Sequence, residues 1–150
     1  MPQSFVKLYV HLIYSTKHRE RRISQKCEAD LWAYQAGIFN AWQSPAIAIG
    51  GIEDHIHALF SLSKNHTLVK VIEEVKKGSS KWMKSDGPRD PAFFWQSGYA
   101  AFSVSQSNAD AVKHYIETQH EHHHTMSFQE ELRALCARHQ VELDERYAWD

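Results

Sequence analysis

Two short apolar runs, Ala46 to Ile52 and His55 to Leu62, are separated by only Glu53 and Asp54. A two-residue connection can reverse the chain between antiparallel neighbours, whereas a parallel pair needs a crossover of a dozen residues or more. The chain is thereby committed to a hairpin and to an antiparallel sheet around it. Upstream, Phe5 to Thr16 alternates, with Val6, Leu8, Val10, Leu12 and Tyr14 on one side and Lys7, Tyr9, His11 and Ser15 mostly on the other, which predicts a strand. A basic loop, Lys17 to Arg22, follows. Ser24 then stands as N-cap of a helix to about Trp42, with Leu31, Tyr34, Ile38 and Trp42 at helical spacing and Pro45 beyond its end.

Downstream of the hairpin, Thr67 caps a second predicted helix to about Lys84, and Gly87-Pro88 marks a loop. Phe94 to Ser105 predicts another strand with a bend at Gly98, and Asn108 caps a helix through about Gln119. A final helix starts at Ser127, where Ser127-x-x-Glu130 has the form of a capping box ahead of Leu132 and Leu135. The order β-α-β-β-α-β plus two helices predicts an α+β, ferredoxin-like split βαβ fold, its antiparallel sheet carrying helices on one face and leaving the other available. At 150 residues the chain fits a single domain, 1–150, with a C-terminal helical tail from about 125 to 150.

With 43% hydrophobic and 23% charged residues the composition is that of a globular chain, not a disordered one. No apolar run approaches the ~20 residues of a membrane helix, and Cys27 and Cys136 form no CxxC pair. These features predict a cytoplasmic protein without a disulfide framework. The net charge of −1 hides an asymmetry: residues 1–89 carry 13 Lys+Arg against 8 Asp+Glu, and residues 90–150 carry 4 against 10. A basic N-terminal portion is compatible with a polyanionic partner. Lys17, Arg19, Arg21 and Arg22 in the first loop and Lys76, Lys77 and Lys81 on the second helix could contact phosphates, or form an ordinary solvated face. Trp82 and Trp95 could stack on unpaired bases or belong to the core or a dimer interface.

Histidine is abundant, at 11 of 150 residues. His55 and His57 flank Ile56 at the start of a predicted strand, so both imidazoles face one side. Such a pair can hold a divalent cation, or can be two packed histidines. Tyr115 and Gln119, four apart on a predicted helix, address the same small volume, although a half-buried tyrosine beside a solvated glutamine has the same spacing. His120, His122, His123 and His124 end that helix in a cluster that reads as a solvated, titrating terminus. His11 reads as a hydrogen-bonded structural residue.

The ordered set Val10-His11-Leu12-Ile13-Tyr14-Ser15-Thr16-Lys17, Asp54-His55-Ile56-His57, Lys76-Lys77-Gly78-Ser79-Ser80-Lys81-Trp82, Phe94-Trp95-Gln96-Ser97-Gly98-Tyr99 and Tyr115-Ile116-Glu117-Thr118-Gln119 resembles the single-tyrosine HUH transposases. These are the TnpA-type enzymes of small bacterial insertion sequences, with REP-associated tyrosine transposases among their relatives. The resemblance implies that His55 and His57 are the His-hydrophobe-His metal ligands, with Gln119, or His120 beside it, as the third. It implies Tyr115 as nucleophile, Mg²⁺ or Mn²⁺ as cofactor, and single-stranded DNA, including hairpin-bearing ends, as substrate. The implied product is a covalent 5′-phosphotyrosine that a 3′-hydroxyl can resolve by strand transfer. It further implies a homodimer with composite sites, the histidines from one subunit and the tyrosine from the other. The alternative reading is a non-catalytic or domesticated single-stranded nucleic-acid-binding module of the same fold.

Overall fold

In the computed structural model of the protein, which describes residues 2–146 and 148–149, strands β2 (Ala46–Ile52) and β3 (His55–Ser61) form the hairpin around the Glu53-Asp54 turn. Strand β1 (Tyr9–Ser15) pairs antiparallel with β3 on one side and with β4 (Ala100–Val104) on the other, giving the order β2-β3-β1-β4. Helix α1 (Gln25–Ala41) joins β1 to β2, α2 (Leu68–Lys84) joins β3 to β4, and α3 (Ala109–Glu117), α4 (Gln119–His122) and α5 (Phe128–Arg138) follow. This is the expected α+β, split βαβ architecture. Among the described residues no helix is long and apolar enough to cross a membrane.

The caps act as their side chains dictate. Ser24, Thr67 and Ser127 accept hydrogen bonds from the backbone N–H of Cys27, Lys70 and Glu130, each satisfying one orphan donor of a first turn. Asn108 does not cap with its side chain; a 3₁₀ turn over Gln106–Asn108 leads into α3 instead. The first strand is shorter than the alternation from Phe5 predicts, because Tyr9 faces the last residue of each neighbouring strand, Ser61 and Val104. Beyond it the Leu8 carbonyl still accepts from the Leu62 N–H at 2.8 Å, but Phe5, Val6 and Leu8 remain exposed.

The two-residue period of the strands divides the sheet chemically. Val10, Leu12, Tyr14, Ile56, Ala58 and Phe60 face α1 and α2, whose Leu31, Phe39, Val71, Ile72, Val75 and Met83 close the main core. Each fully buried Leu, Ile, Val, Phe or Met among them contributes about 1.5–3 kcal/mol of transfer free energy. Gly78 lets the two helices approach closely, since a Cβ there would lie 2.7 Å from Ile38 Cδ1. The opposite face does not stay open, as the repeat alone suggested: Ile116 of α3 packs on Ala48 and Leu59, and Phe128, Leu132 and Leu135 of α5 pack on Ile13 and Phe102.

The fourth strand begins only at Ala100, not at Phe94. Before it, a Gln96 side chain replaces the ladder: its Oε1 accepts from the Ser15 N–H at 2.8 Å, while the Gln96 N–H donates to the Ser15 carbonyl at 2.9 Å. Lys76 fastens the segment, its ammonium donating to the carbonyls of Gln96 at 2.6 Å and Gly98 at 2.9 Å. Burial brings its pKa down to about 8. Lys76 therefore serves the fold. Lys76→Met should destabilise the protein by about 1–3 kcal/mol, because two carbonyls lose a charged donor. An unchanged thermal midpoint in that variant would return Lys76 to the solvated face.

Candidate active site

His55 and His57 project from β3 onto the second face, both fully buried, beneath the C-terminal helices. Each imidazole is oriented through its Nδ1. His55 Nδ1 lies 2.8 Å from Asp54 Oδ1, and His57 Nδ1 lies 2.8 Å from His11 Nε2. With Nδ1 held by these partners, each Nε2 is aimed into the site, where a bound cation would take the place of the proton that Nε2 otherwise shares with a carboxylate. His11 is thus the structural hydrogen-bonding residue expected. Burial and the neighbouring His57 push its pKa down to about 3, so it stays neutral and able to accept.

The helix expected to run through Gln119 stops at Glu117. Thr118 leaves helical geometry (φ −110, ψ 29), and its hydroxyl donates to the His114 carbonyl at 2.9 Å, a local bond that competes with helix continuation. The chain restarts as α4, and this break turns both Gln119 and His123 inward. Gln119 Oε1 lies 3.3 Å from His55 Nε2 and 3.1 Å from His123 Nε2, so the expected third group does reach the histidine pair. His120 does not. Its Nε2 lies 3.0 Å from Glu28 Oε2 of α1, away from the histidine pair.

Two further groups were not anticipated. His123 is nearly buried and Glu131 of α5 is 1% exposed; with His55 and His57 they form a set whose ligand atoms all lie within 4.8 Å of one another. Glu131 Oε1 lies 2.8 Å from His57 Nε2 and 3.3 Å from His123 Nε2. Burial alone would raise the Glu131 carboxyl, but His57, His123 and His55 outweigh it and hold it far below the ordinary carboxylate range. For His57, burial prevails and its pKa falls; for His55, burial is outweighed by the hydrogen bonds its ring donates to the Asp54 and Glu131 carboxylates, and its pKa rises.

Tyr115 completes the site. Its hydroxyl donates to Glu131 Oε2, its ring lies 5.8 Å from that of His57, and His122 stacks on it at 4.5 Å. Burial and the Glu131 carboxylate both raise the phenol's pKa, so the hydroxyl keeps its proton at neutral pH. A cavity of about 340 Å³, bordered by Val112, Arg138 and His139, opens beside it. Tyr115 and the histidine pair meet within one chain, whereas the resemblance implied that they would be brought together by two.

The basic residues separate into two groups. Arg22 pairs with Asp90 through bonds of 2.9 and 3.1 Å and with Glu20 at 2.6 Å. Lys17, Arg21, Lys77 and Lys81 are exposed and Arg19 is partly so. Trp95 belongs to the core and donates to Ser79 Oγ at 3.0 Å, and Trp82 stacks on Tyr34.

Residues 4–119 match the family model described as "Transposase IS200 like". A candidate transposase from Deinococcus radiodurans R1, solved by crystallography, is similar with a TM-score of 0.63 and 24% identity, over 79% of this chain and 96% of its own. A REP-associated tyrosine transposase solved bound to a REP hairpin is similar with a TM-score of 0.55 and 14% identity, over 79% of this chain and 70% of its own. At these identities the two structures attest the fold. No curated protein sequence matches the chain significantly.

Proposed function

We propose that this chain, which belongs to the IS200-like transposase family, cleaves and rejoins single-stranded DNA with Tyr115 as nucleophile and a divalent cation as cofactor. The observation that carries the reading is the convergence of Tyr115 and the His55/His57 pair on one buried carboxylate in a single chain. The donor set fits a cation: three imidazoles and a carboxylate whose ligand atoms lie within 4.8 Å of one another. His55 and His57 would hold it together with groups from the turn after α3, Gln119 or His123. When bound, the cation supplies Lewis-acid polarisation of a phosphate oxygen. Imidazole donors favour Mn²⁺ over Mg²⁺, which prefers an all-oxygen shell.

The protein's own residues perform the rest. Asp54 and His11 hold the two imidazoles with each Nε2 aimed into the site, and the packing of α3 on β2 and β3 presents the phenol at a fixed height above them. In cleavage a bond forms between the Tyr115 oxygen and phosphorus while the bond from phosphorus to O3′ breaks. The phenol proton leaves and the departing O3′ gains one, giving a 5′-phosphotyrosine and a free 3′-hydroxyl. Because the phosphoester is conserved, a 3′-hydroxyl can run the step backwards and join strands without ATP. The exposed cations Lys17, Arg21, Lys77 and Lys81 supply sequence-independent phosphate attraction. A flexible backbone is needed for in-line attack in so narrow a site, and a similar protein's binding to a REP hairpin supports single-stranded, hairpin-flanked DNA as the substrate class.

Incubation of the full chain with single-stranded DNA from its own genomic flanks and Mn²⁺ should yield an adduct that survives denaturation and disappears on chelation. A perfect duplex of the same sequence should resist. Nicked product without any adduct would identify a bound water, not Tyr115, as the nucleophile and would overturn the reading.

A further inference from the structure

Glu131 lies beyond residues 4–119, the segment that matches the family model, yet the site converges on it. Its position is costly. The helical repeat that turns Phe128, Leu132 and Leu135 of α5 towards the sheet also turns position 131 inward, and the carboxylate there is 1% exposed. At such a position an apolar residue of similar size would ordinarily be neutral or stabilising compared with a buried charge. A carboxylate retained among apolar neighbours requires partners, and Glu131 has a distinct set for each oxygen. Oε1 lies 2.8 Å from His57 Nε2, 3.3 Å from His123 Nε2 and 3.5 Å from His55 Nε2, while Oε2 accepts the hydrogen bond of the Tyr115 hydroxyl.

The spacings on the Oε1 side have the size of coordination edges. Ligand atoms bound at about 2.1 Å are separated by about 3.0 Å in an octahedral shell and about 3.4 Å in a tetrahedral one. The three distances from Oε1 to the imidazole nitrogens bracket those values, and all three nitrogens present the same atom, Nε2. An ordinary salt bridge would need only one of them.

We propose that Glu131 is the anionic ligand of the metal centre and that its second oxygen aims Tyr115 at that centre, so that α5 is a working part of the active site. The inference rests on the metal-and-tyrosine reading above and adds to it the group that couples the two. Two imidazoles and an amide leave a divalent cation with its full charge; a carboxylate lowers that charge and binds it more tightly. Through Oε2 the same side chain fixes the distance between ligand set and nucleophile, and a misplacement of about 1 Å at such a point can cost about 10²-fold in rate.

The test uses the full chain, with Mn²⁺ as probe, calorimetry for affinity and the denaturation-resistant adduct for rate. Glu131→Gln, which keeps the side chain's shape, should weaken Mn²⁺ binding by about 10-fold or more, as ligand-shell losses do, and slow adduct formation at saturating Mn²⁺ by about 10²-fold. Glu131→Asp, which keeps the charge but withdraws from Tyr115, should bind Mn²⁺ within about 10-fold of wild type while remaining slow. Circular dichroism reports whether each variant is folded, and the Asp variant carries the test if the Gln variant is not. Unchanged Mn²⁺ affinity in Glu131→Gln would overturn the proposal, and so would faster adduct formation, which would make the carboxylate an obstruction over the site. If wild type binds Mn²⁺ through His57 and forms the adduct, such a result removes only the role of Glu131. A wild type that neither binds Mn²⁺ nor forms an adduct overturns both readings.

Discussion

Tyr115→Phe is expected to lower covalent adduct formation by about 10⁴-fold or more, below detection, since nucleophile removal leaves no alternative covalent route. The substitution deletes one oxygen and keeps the ring that stacks on His122. Single-stranded DNA binding should survive nearly intact, because phosphate contacts dominate such affinity and Tyr115 supplies none of the exposed positive charge. Stability should fall by about 1.5–3 kcal/mol at most, as the hydroxyl's bond to a charged acceptor is lost. Glu131 keeps its imidazole partners through Oε1. An adduct of undiminished yield in this variant would sink the assignment of the nucleophile, and a proportionate loss of DNA binding would show that the substitution had disturbed the fold and not the chemistry alone.

The parts of the molecule that were legible in the sequence are those governed by local rules. The Glu53-Asp54 turn and the caps at Ser24, Thr67 and Ser127 depend on neighbours within a few residues, and all form where the pattern placed them. Features decided by distant contacts were not legible. The start of β4 depends on Gln96 and Lys76, which meet only because α2 crosses the sheet beside β1. The break at Thr118 cannot be read from a periodicity that continues smoothly through Gln119. Within the site, His55 and His57 were visible because strand alternation fixes their common face, and Tyr115 and Gln119 because one helical turn separates them. His123 was assigned with its neighbours to a solvated terminus, although α4 turns it inward while His120 turns to Glu28. Glu131 did leave a signal: a carboxylate three residues after Phe128 and four before Leu135 falls on the apolar stripe of its own helix. Its partners, some 75 residues earlier on β3, left none.

The same long-range packing bears on which chain would supply the tyrosine. Ile116, the residue after Tyr115, is fully buried against Ala48 and Leu59, and Gly50 of β2 permits the contact, since a Cβ there would collide with the Ile116 carbonyl. Moving α3 to a partner's sheet would break these contacts, which only the same Ala48, Leu59 and Gly50 surface on the partner could restore, and would separate Tyr115 from Glu131 unless α5 moved with it. Only the turn Ser105–Asn108 precedes α3, so there is little slack for an exchange. The site is therefore expected to work in cis. Mixing His57→Ala chains with Tyr115→Phe chains, differently tagged and refolded together, should leave adduct formation at the background of either parent, because every site then lacks either a ligand or its nucleophile. In a composite dimer one site of each mixed pair would hold both intact parts, and adduct would form on the tyrosine of the His57→Ala chain. Recovery of that adduct would show that α3 leaves its own sheet despite the packing at Ile116. Persistent inactivity, with mixed pairs verified by mass where the chain dimerises, means that each chain carries its own complete site.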